Sequence, residues 1–301
     1  MEAAEKIFVL PTADTASIRR KTLDIVYAPL SDFQKLDVYL PDSGEGPFPV
    51  VMAVHGGAWM MCDKSDVQVL PMLRALGRGY AVVAVNYRLS MEAKFPAQIQ
   101  DVKAAIRWVR ANAAAYGFDP ARIALWGGSA GAHLSSLAGL TGSDALDPRS
   151  PARVFEDPAL GNPGLSTFVS AVVAWYGPTD FLKMDPYLAE CGLGPQDHSL
   201  SDSPESRLLG ATITAVPDSV AFANPETYVT GSAPPFFLQH GKKDSTVPHQ
   251  HSVALARLLT ARIGADKVRL ELLPDARHAD PAFDTAENVA RILDFLDRYL
   301  K

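Results

Sequence analysis

The chain has 301 residues, 48% hydrophobic and 21% charged, the proportions of an ordinary soluble globular protein. At about 150 residues per domain it could hold two domains, but one α/β core carrying an insertion fits the length equally well. Its 28 basic and 34 acidic residues give a net charge of −6 with no basic run, which argues against nucleic acid or anionic membrane as partners.

No apolar run approaches the ~20 residues that span a bilayer. Two cysteines, Cys62 and Cys191, are too few for a disulfide scaffold or a four-cysteine zinc site, and they are expected as buried thiols. The stretch from Met1 to Lys6 has neither the basic start nor the apolar segment of a signal peptide, so the expectation is a cytoplasmic protein. Neither a metal nor a cofactor is expected.

In chain order, Leu23 to Ala28 and Gln34 to Leu40 come first. In the second run Leu36, Val38 and Leu40 alternate with polar residues, which predicts a half-buried antiparallel edge pair. The next strands change character. Val50–Val54, Ala81–Val85, Ile123–Trp126 and Val169–Trp175 are continuously apolar, as strands covered on both faces must be, and Pro235–Gln239 and Val268–Leu273 follow. Between strands, Ile99, Val102, Ile106 and Val109 keep the spacing of one buried helix face, with Gly117 as its stop. Asn288, Ile292 and Phe295, flanked by Val289, Leu293 and Leu296, repeat that period near the end. The alternation predicts an α/β fold with a mostly parallel, doubly wound sheet in a single domain over 1–301.

Two segments interrupt the rhythm. Residues 142–165 are rich in Pro, Asp and Gly, and 185–233 separate two strands by about fifty residues, far beyond an ordinary loop. Within the second, Ser203-Pro204-Glu205 has the form of a helix start. The segment therefore reads as a small helical lid over the carboxyl edge of the sheet, where ligands bind in open α/β sheets.

The chemistry is concentrated in Gly127-Gly128-Ser129-Ala130-Gly131, between an apolar strand and a small-residue helical run. A glycine-flanked serine on such a turn is a nucleophile elbow: the tight turn demands small neighbours and lifts the hydroxyl above the sheet. The serine needs a base. Of seven histidines, His278 lies just past the last strand, where α/β-hydrolases carry their base in the order Ser, acid, His. His133 suits helix packing, His240 at a strand end reads as structural, His198 has no partner motif, and His249 and His251 read as solvated surface. The acid is expected at Asp244, in the loop after the strand ending at Gln239, with Asp180 one strand earlier as the weaker candidate. His55-Gly56-Gly57 directly follows Val54, and Gly56, Gly57 and Ala130 can present backbone N–H groups to an oxyanion.

These four parts in this order resemble the hormone-sensitive-lipase-like branch of the α/β-hydrolase superfamily. Asn86-Tyr87-Arg88-Leu89, the run from Phe95-Pro96 to Asp101, Ser129 to Leu134, Ser203 to Ser206 with Leu209-Gly210, and His278 followed by Asp280-Pro281-Ala282-Phe283 narrow it. Over residues 20–300 the chain is similar to bifunctional feruloyl and acetyl-xylan esterases. The resemblance implies a serine carboxylesterase with the triad Ser129, Asp244 and His278, acting on acetyl or hydroxycinnamoyl esters, including oligosaccharide esters. It departs at Met60-Met61-Cys62, where small or polar residues are expected and an apolar wall results. Trp59, Met60 and Tyr187 are expected to line the substrate pocket, with Phe222 and Tyr228 nearby and no apolar tunnel for long chains. The other readings are an arylformamidase, an unspecialised short-chain carboxylesterase, and a ligand receptor on the same fold; such receptors tend to lose a triad member.

Overall fold

A computed structural model describes residues 10–142 and 149–301. The opening stretch from Met1 to Lys6, and residues 143–148 of the Pro-, Asp- and Gly-rich segment, lie outside the described residues.

The elements are, in order, β1 (Lys21–Val26), β2 (Lys35–Tyr39), β3 (Phe48–Val54), α1 (Leu70–Leu73), β4 (Ala81–Val85), α2 (Ala97–Ala111), α3 (Ala113–Tyr116), β5 (Phe118–Gly128) and α4 (Ala130–Leu140). They continue with β6 (Ala171–Trp175), α5 (Met184–Cys191), α6 (Pro204–Leu209), α7 (Pro217–Ala223), β7 (Phe236–Gly241), α8 (Gln250–Ile263), β8 (Val268–Leu273) and α9 (Ala286–Leu300). The strands form one eight-stranded sheet ordered β1-β2-β4-β3-β5-β6-β7-β8. The β1–β2 and β2–β4 pairs are antiparallel and the rest parallel. This is the mostly parallel α/β architecture the apolar runs predict. Each of β3, β4 and β6 is buried along its whole length because helices cover both faces.

Two expectations shift. The β2 strand is not half-buried: Asp37 and Tyr39 are as buried as Leu36 and Val38, because Lys64 reaches back from the loop after β3 and its Nζ sits 3.0 Å from the Asp37 carboxylate. A charge neutralised in this way can be covered. The helix carrying Ile99 to Val109 ends at Ala111, and the short α3 fills the gap to Gly117, whose φ of +68° closes it. In the insertion, Ser203 Oγ accepts the Ser206 N–H and caps α6, with Pro204 at its first turn. Glu205, in the same first turn, is buried against His198 Nδ1 at 3.1 Å.

Candidate active site

The elbow is fixed by backbone contacts. A Cβ on Gly127 would stand 2.4 Å from the Gly131 carbonyl carbon, and one on Gly131 would stand 2.0 Å from the Val54 carbonyl oxygen. Strand and helix can approach this closely only without side chains. Ser129, between them, has φ 55° and ψ −122°, a conformation that costs a residue with a side chain on the order of 1–3 kcal/mol. It is held there from both sides: its N–H donates to the Trp175 carbonyl at 2.9 Å, and its carbonyl accepts the His133 N–H at 3.0 Å.

The structure brings Ser129, His278 and Asp244 together from three separate loops. His278 Nε2 lies 3.0 Å from Ser129 Oγ, and its Nδ1 lies 2.8 Å from Asp244 Oδ2. The Asp244 carboxyl is fully buried. Burial alone would raise its pKa, but hydrogen bonds from His240 and His278 outweigh it and hold it well below the usual carboxylate range. Its Oδ1 also accepts the backbone N–H groups of Thr246 and Val247, each at 2.9 Å. An ionised carboxylate only accepts, so His278 carries its proton on Nδ1 and leaves the Nε2 lone pair for the serine. Tyr176 packs edge-on against the imidazole, ring centres 4.9 Å apart, and is backed by Phe283 at 4.6 Å. That is the role of the Asp280-Pro281-Ala282-Phe283 stretch: Asp280 Oδ1 accepts the Ala282 N–H and sets the turn that delivers Phe283.

The His55-Gly56-Gly57 loop is braced from behind. Tyr87 Oη donates to the carbonyls of His55 and Gly56 at 3.1 and 3.2 Å, and His55 stacks on the Tyr87 ring with Nδ1 2.8 Å from the Gly56 carbonyl. A trans peptide points its N–H opposite its C=O, so anchoring the Gly56 carbonyl aims the Gly57 N–H the other way. Gly57 and Ala130 have N–H groups with no partner among the described residues. Gly56 differs: its N–H donates to Gln68 Oε1 at 3.0 Å, so it is engaged rather than offered. Gln68 escapes a sequence reading because it lies twelve residues from Gly56 with no motif around it. Replacing it with Leu should loosen the loop and lower kcat by about tenfold with KM little changed, since the loss falls on the transition state. An unaltered kcat would remove Gln68 from the machinery.

The wall of the cavity differs from the one expected. A cavity of about 660 Å³ opens on Ser129 and His278, with Met61, Cys62, Val67 and Leu70 on one side and Tyr176 on the other. Of the residues expected to line it, Trp59 is turned into the core: it is 2% exposed, its Nε1–H donates to His133 Nδ1, and its ring packs on Phe181. Met60 and Tyr187 also lie off the lining. Tyr187 packs edge-on against His251, and Phe222 and Tyr228 pack against Phe155. Ala58 and Trp59 both adopt positive φ, a conformation uncommon for residues with a side chain, in the loop where Trp59 turns into the core. No residue of the lid lines the cavity. The apolar wall expected of Met60-Met61-Cys62 comes from the latter two.

The remaining candidates sit elsewhere. Asp180 accepts the Leu182 N–H and the Asn224 amide at the base of the lid, so it is a loop-ordering carboxylate. Both cysteines are free and half-buried rather than buried, and burial pushes the Cys62 thiol up to about 12. His240 is buried between Ser252 Oγ and the Val247 carbonyl. His251 is buried rather than solvated, within reach of Thr179. Burial holds His133 down at about 4 and His251 at about 3. For both, the folded value lies below the ordinary 6.5, so between about pH 6.5 and 4 the unfolded chain binds protons that the folded chain does not. Stability should therefore fall with pH across that window, by up to about 1.4 kcal/mol per unit per histidine. Asp244, depressed in the fold, stabilises above the unfolded carboxylate value near 4 and is lost below it. A melting series from pH 7 to 4 tests this; a flat Tm would contradict it.

Residues 36–259 match the BD-FAE family. The chain is 36% identical over 279 residues to Esterase LipQ of Mycobacterium tuberculosis, covering 89% of this chain and 59% of that protein. It is 31% identical over 221 residues to Carboxylesterase NlhH of the same organism, covering 64% and 69%. It thus spans less than two thirds of the length of LipQ. Among solved structures, a truncated carbohydrate esterase from gut microbiota superposes with TM-score 0.82 at 31% identity, covering 96% of this chain and 99% of that one. A bifunctional GH43-CE protein of Bacteroides eggerthii gives 0.81 at 35%, covering 93% and 35%. Esterase B of Lactobacillus rhamnosis, at 22% identity and 0.71, covering 93% and 84%, shares the fold.

Proposed function

Because this chain belongs to the BD-FAE family and has the α/β-hydrolase fold, we propose that it is a serine carboxylic ester hydrolase working through an acyl-enzyme. The observation that carries the reading is the continuous relay from Ser129 Oγ through His278 to the buried Asp244. Ser129 Oγ attacks the ester carbonyl as His278 Nε2 takes its proton. The N–H groups of Gly57 and Ala130 receive the oxyanion, and the helix α4 presents its positive end to the same point. His278 then protonates the departing alkoxide, and the acyl group remains on Ser129. In the second half, water gives its proton to His278 and attacks the acyl carbon, and His278 returns that proton to Ser129 Oγ as the acid leaves.

The substrate class we propose is acetyl and hydroxycinnamoyl esters of saccharide alcohols. Two relatives above 30% identity carry carbohydrate esterase names or the CE designation. The apolar wall of Met61, Val67 and Leu70 suits an aromatic acid better than a charged one. The test compares kcat/KM for methyl ferulate, an acetylated xylo-oligosaccharide and p-nitrophenyl acetate. Turnover of the first two supports the class. Activity confined to p-nitrophenyl acetate would leave an unspecialised short-chain esterase.

A further inference from the structure

The cavity does not end beneath Ser129. Besides Val54 at the carboxyl edge of the sheet, it is lined by Ala53 of β3 and Ala84 of β4, one residue further in. These two are register partners across the parallel pair, both 5% exposed or less, and both belong to the apolar layer between the sheet and the segment holding Val69 and Met72. One step deeper on the same face, the partners are Val51 and Val82, fully buried and off the cavity lining. The strands therefore change from valine to alanine where the cavity enters the core, and the missing methyl groups are part of its space.

We propose that this chamber is the specificity pocket for an ester bearing an apolar group much larger than acetyl, and that the Ala53–Ala84 pair sets how deep that group can reach. The inference rests on the ester hydrolase reading. Its size supports it: about 660 Å³ falls in the ~300–1,000 Å³ range of sites that enclose drug-sized ligands, which an acetyl group alone leaves largely empty. Its chemistry agrees. Leu70 and Met72 of α1, Val69 just before it and Trp175 of β6 line it, so a carbon chain or aryl group entering among them leaves water for apolar contact at roughly 0.8 kcal/mol per buried CH₂. The lid takes no part, because its aromatic side chains are spent on packing.

The experiment measures kcat/KM for p-nitrophenyl acetate and octanoate, and for ethyl and octyl acetate, in the native protein and in Ala84→Val and Ala84→Leu. The first pair varies the acyl side and the second the alcohol side. Filling the notch should lower the long-to-short ratio for one pair by about tenfold or more in Ala84→Leu, with Ala84→Val between, and the pair that moves identifies the side. A measurement on the native protein guards against a variant that fails to fold. Octanoate or octanol should inhibit p-nitrophenyl acetate turnover at about a tenth, or less, of the concentration needed for acetate or ethanol. Ratios that do not move, or equal inhibition by long and short products, would overturn the chamber while leaving the hydrolase reading intact. A native protein that turns over none of the four esters would overturn the hydrolase reading itself.

Discussion

Ser129→Ala lowers kcat by on the order of 10⁴ or more for any ester the protein hydrolyses, while Tm stays close to native. Oγ is the only atom removed, and it makes no contact that the backbone depends on. The two main-chain hydrogen bonds, to Trp175 and from His133, hold the elbow whatever the side chain. His278 loses its partner at Nε2 but is 20% exposed, so water can replace the hydroxyl without leaving a buried orphan. What remains is catalysis by the oxyanion donors and substrate binding, which still exceeds the reaction in water. Rates near native in a folded Ser129→Ala protein would move the nucleophile elsewhere.

Asp244→Asn costs roughly 10⁴ in kcat for a reason specific to this site. The Thr246 and Val247 N–H groups are fixed donors aimed at one carboxylate oxygen, so the amide oxygen of an asparagine must face them. Its NH₂ then faces His278 Nδ1, which has to accept. That forces the imidazole proton onto Nε2, where it blocks proton uptake from Ser129. Asp180→Asn keeps an acceptor for the Leu182 N–H and touches nothing in the relay, so its kcat should change by no more than about threefold. The reverse ranking would transfer the orienting role to Asp180.

The parts of the site that the sequence made legible are those whose geometry is local. Gly127 to Gly131 reads as an elbow because a strand meeting a helix this closely leaves no room for a Cβ at Gly127 or Gly131, and the crowding at those positions has that origin. His278 and Asp244 read from their position just past the last two strands, β8 and β7. The cavity wall was not legible. Which of Trp59, Met60, Met61 and Cys62 faces the substrate depends on positive φ at Ala58 and Trp59, and neither residue type signals that conformation. Gln68 meets Gly56 across a twelve-residue loop, and the alanine pair matters only because β3 and β4 are in register. His251, read as solvated surface beside His249, is buried where Tyr187, from an insertion more than sixty residues away, packs on it and Thr179 lies within reach. Contacts set by tertiary approach leave no periodic trace in the chain.

Labelling with a fluorophosphonate, which phosphonylates an activated serine and little else, tests directly whether Ser129 is the nucleophile. One adduct per chain is expected, mapped to the peptide containing Ser129, formed in step with the loss of ester turnover, absent in Ser129→Ala and strongly slowed in Asp244→Asn. Full modification of Ser129 with turnover intact, or an adduct on another residue that tracks the loss of activity, would contradict it.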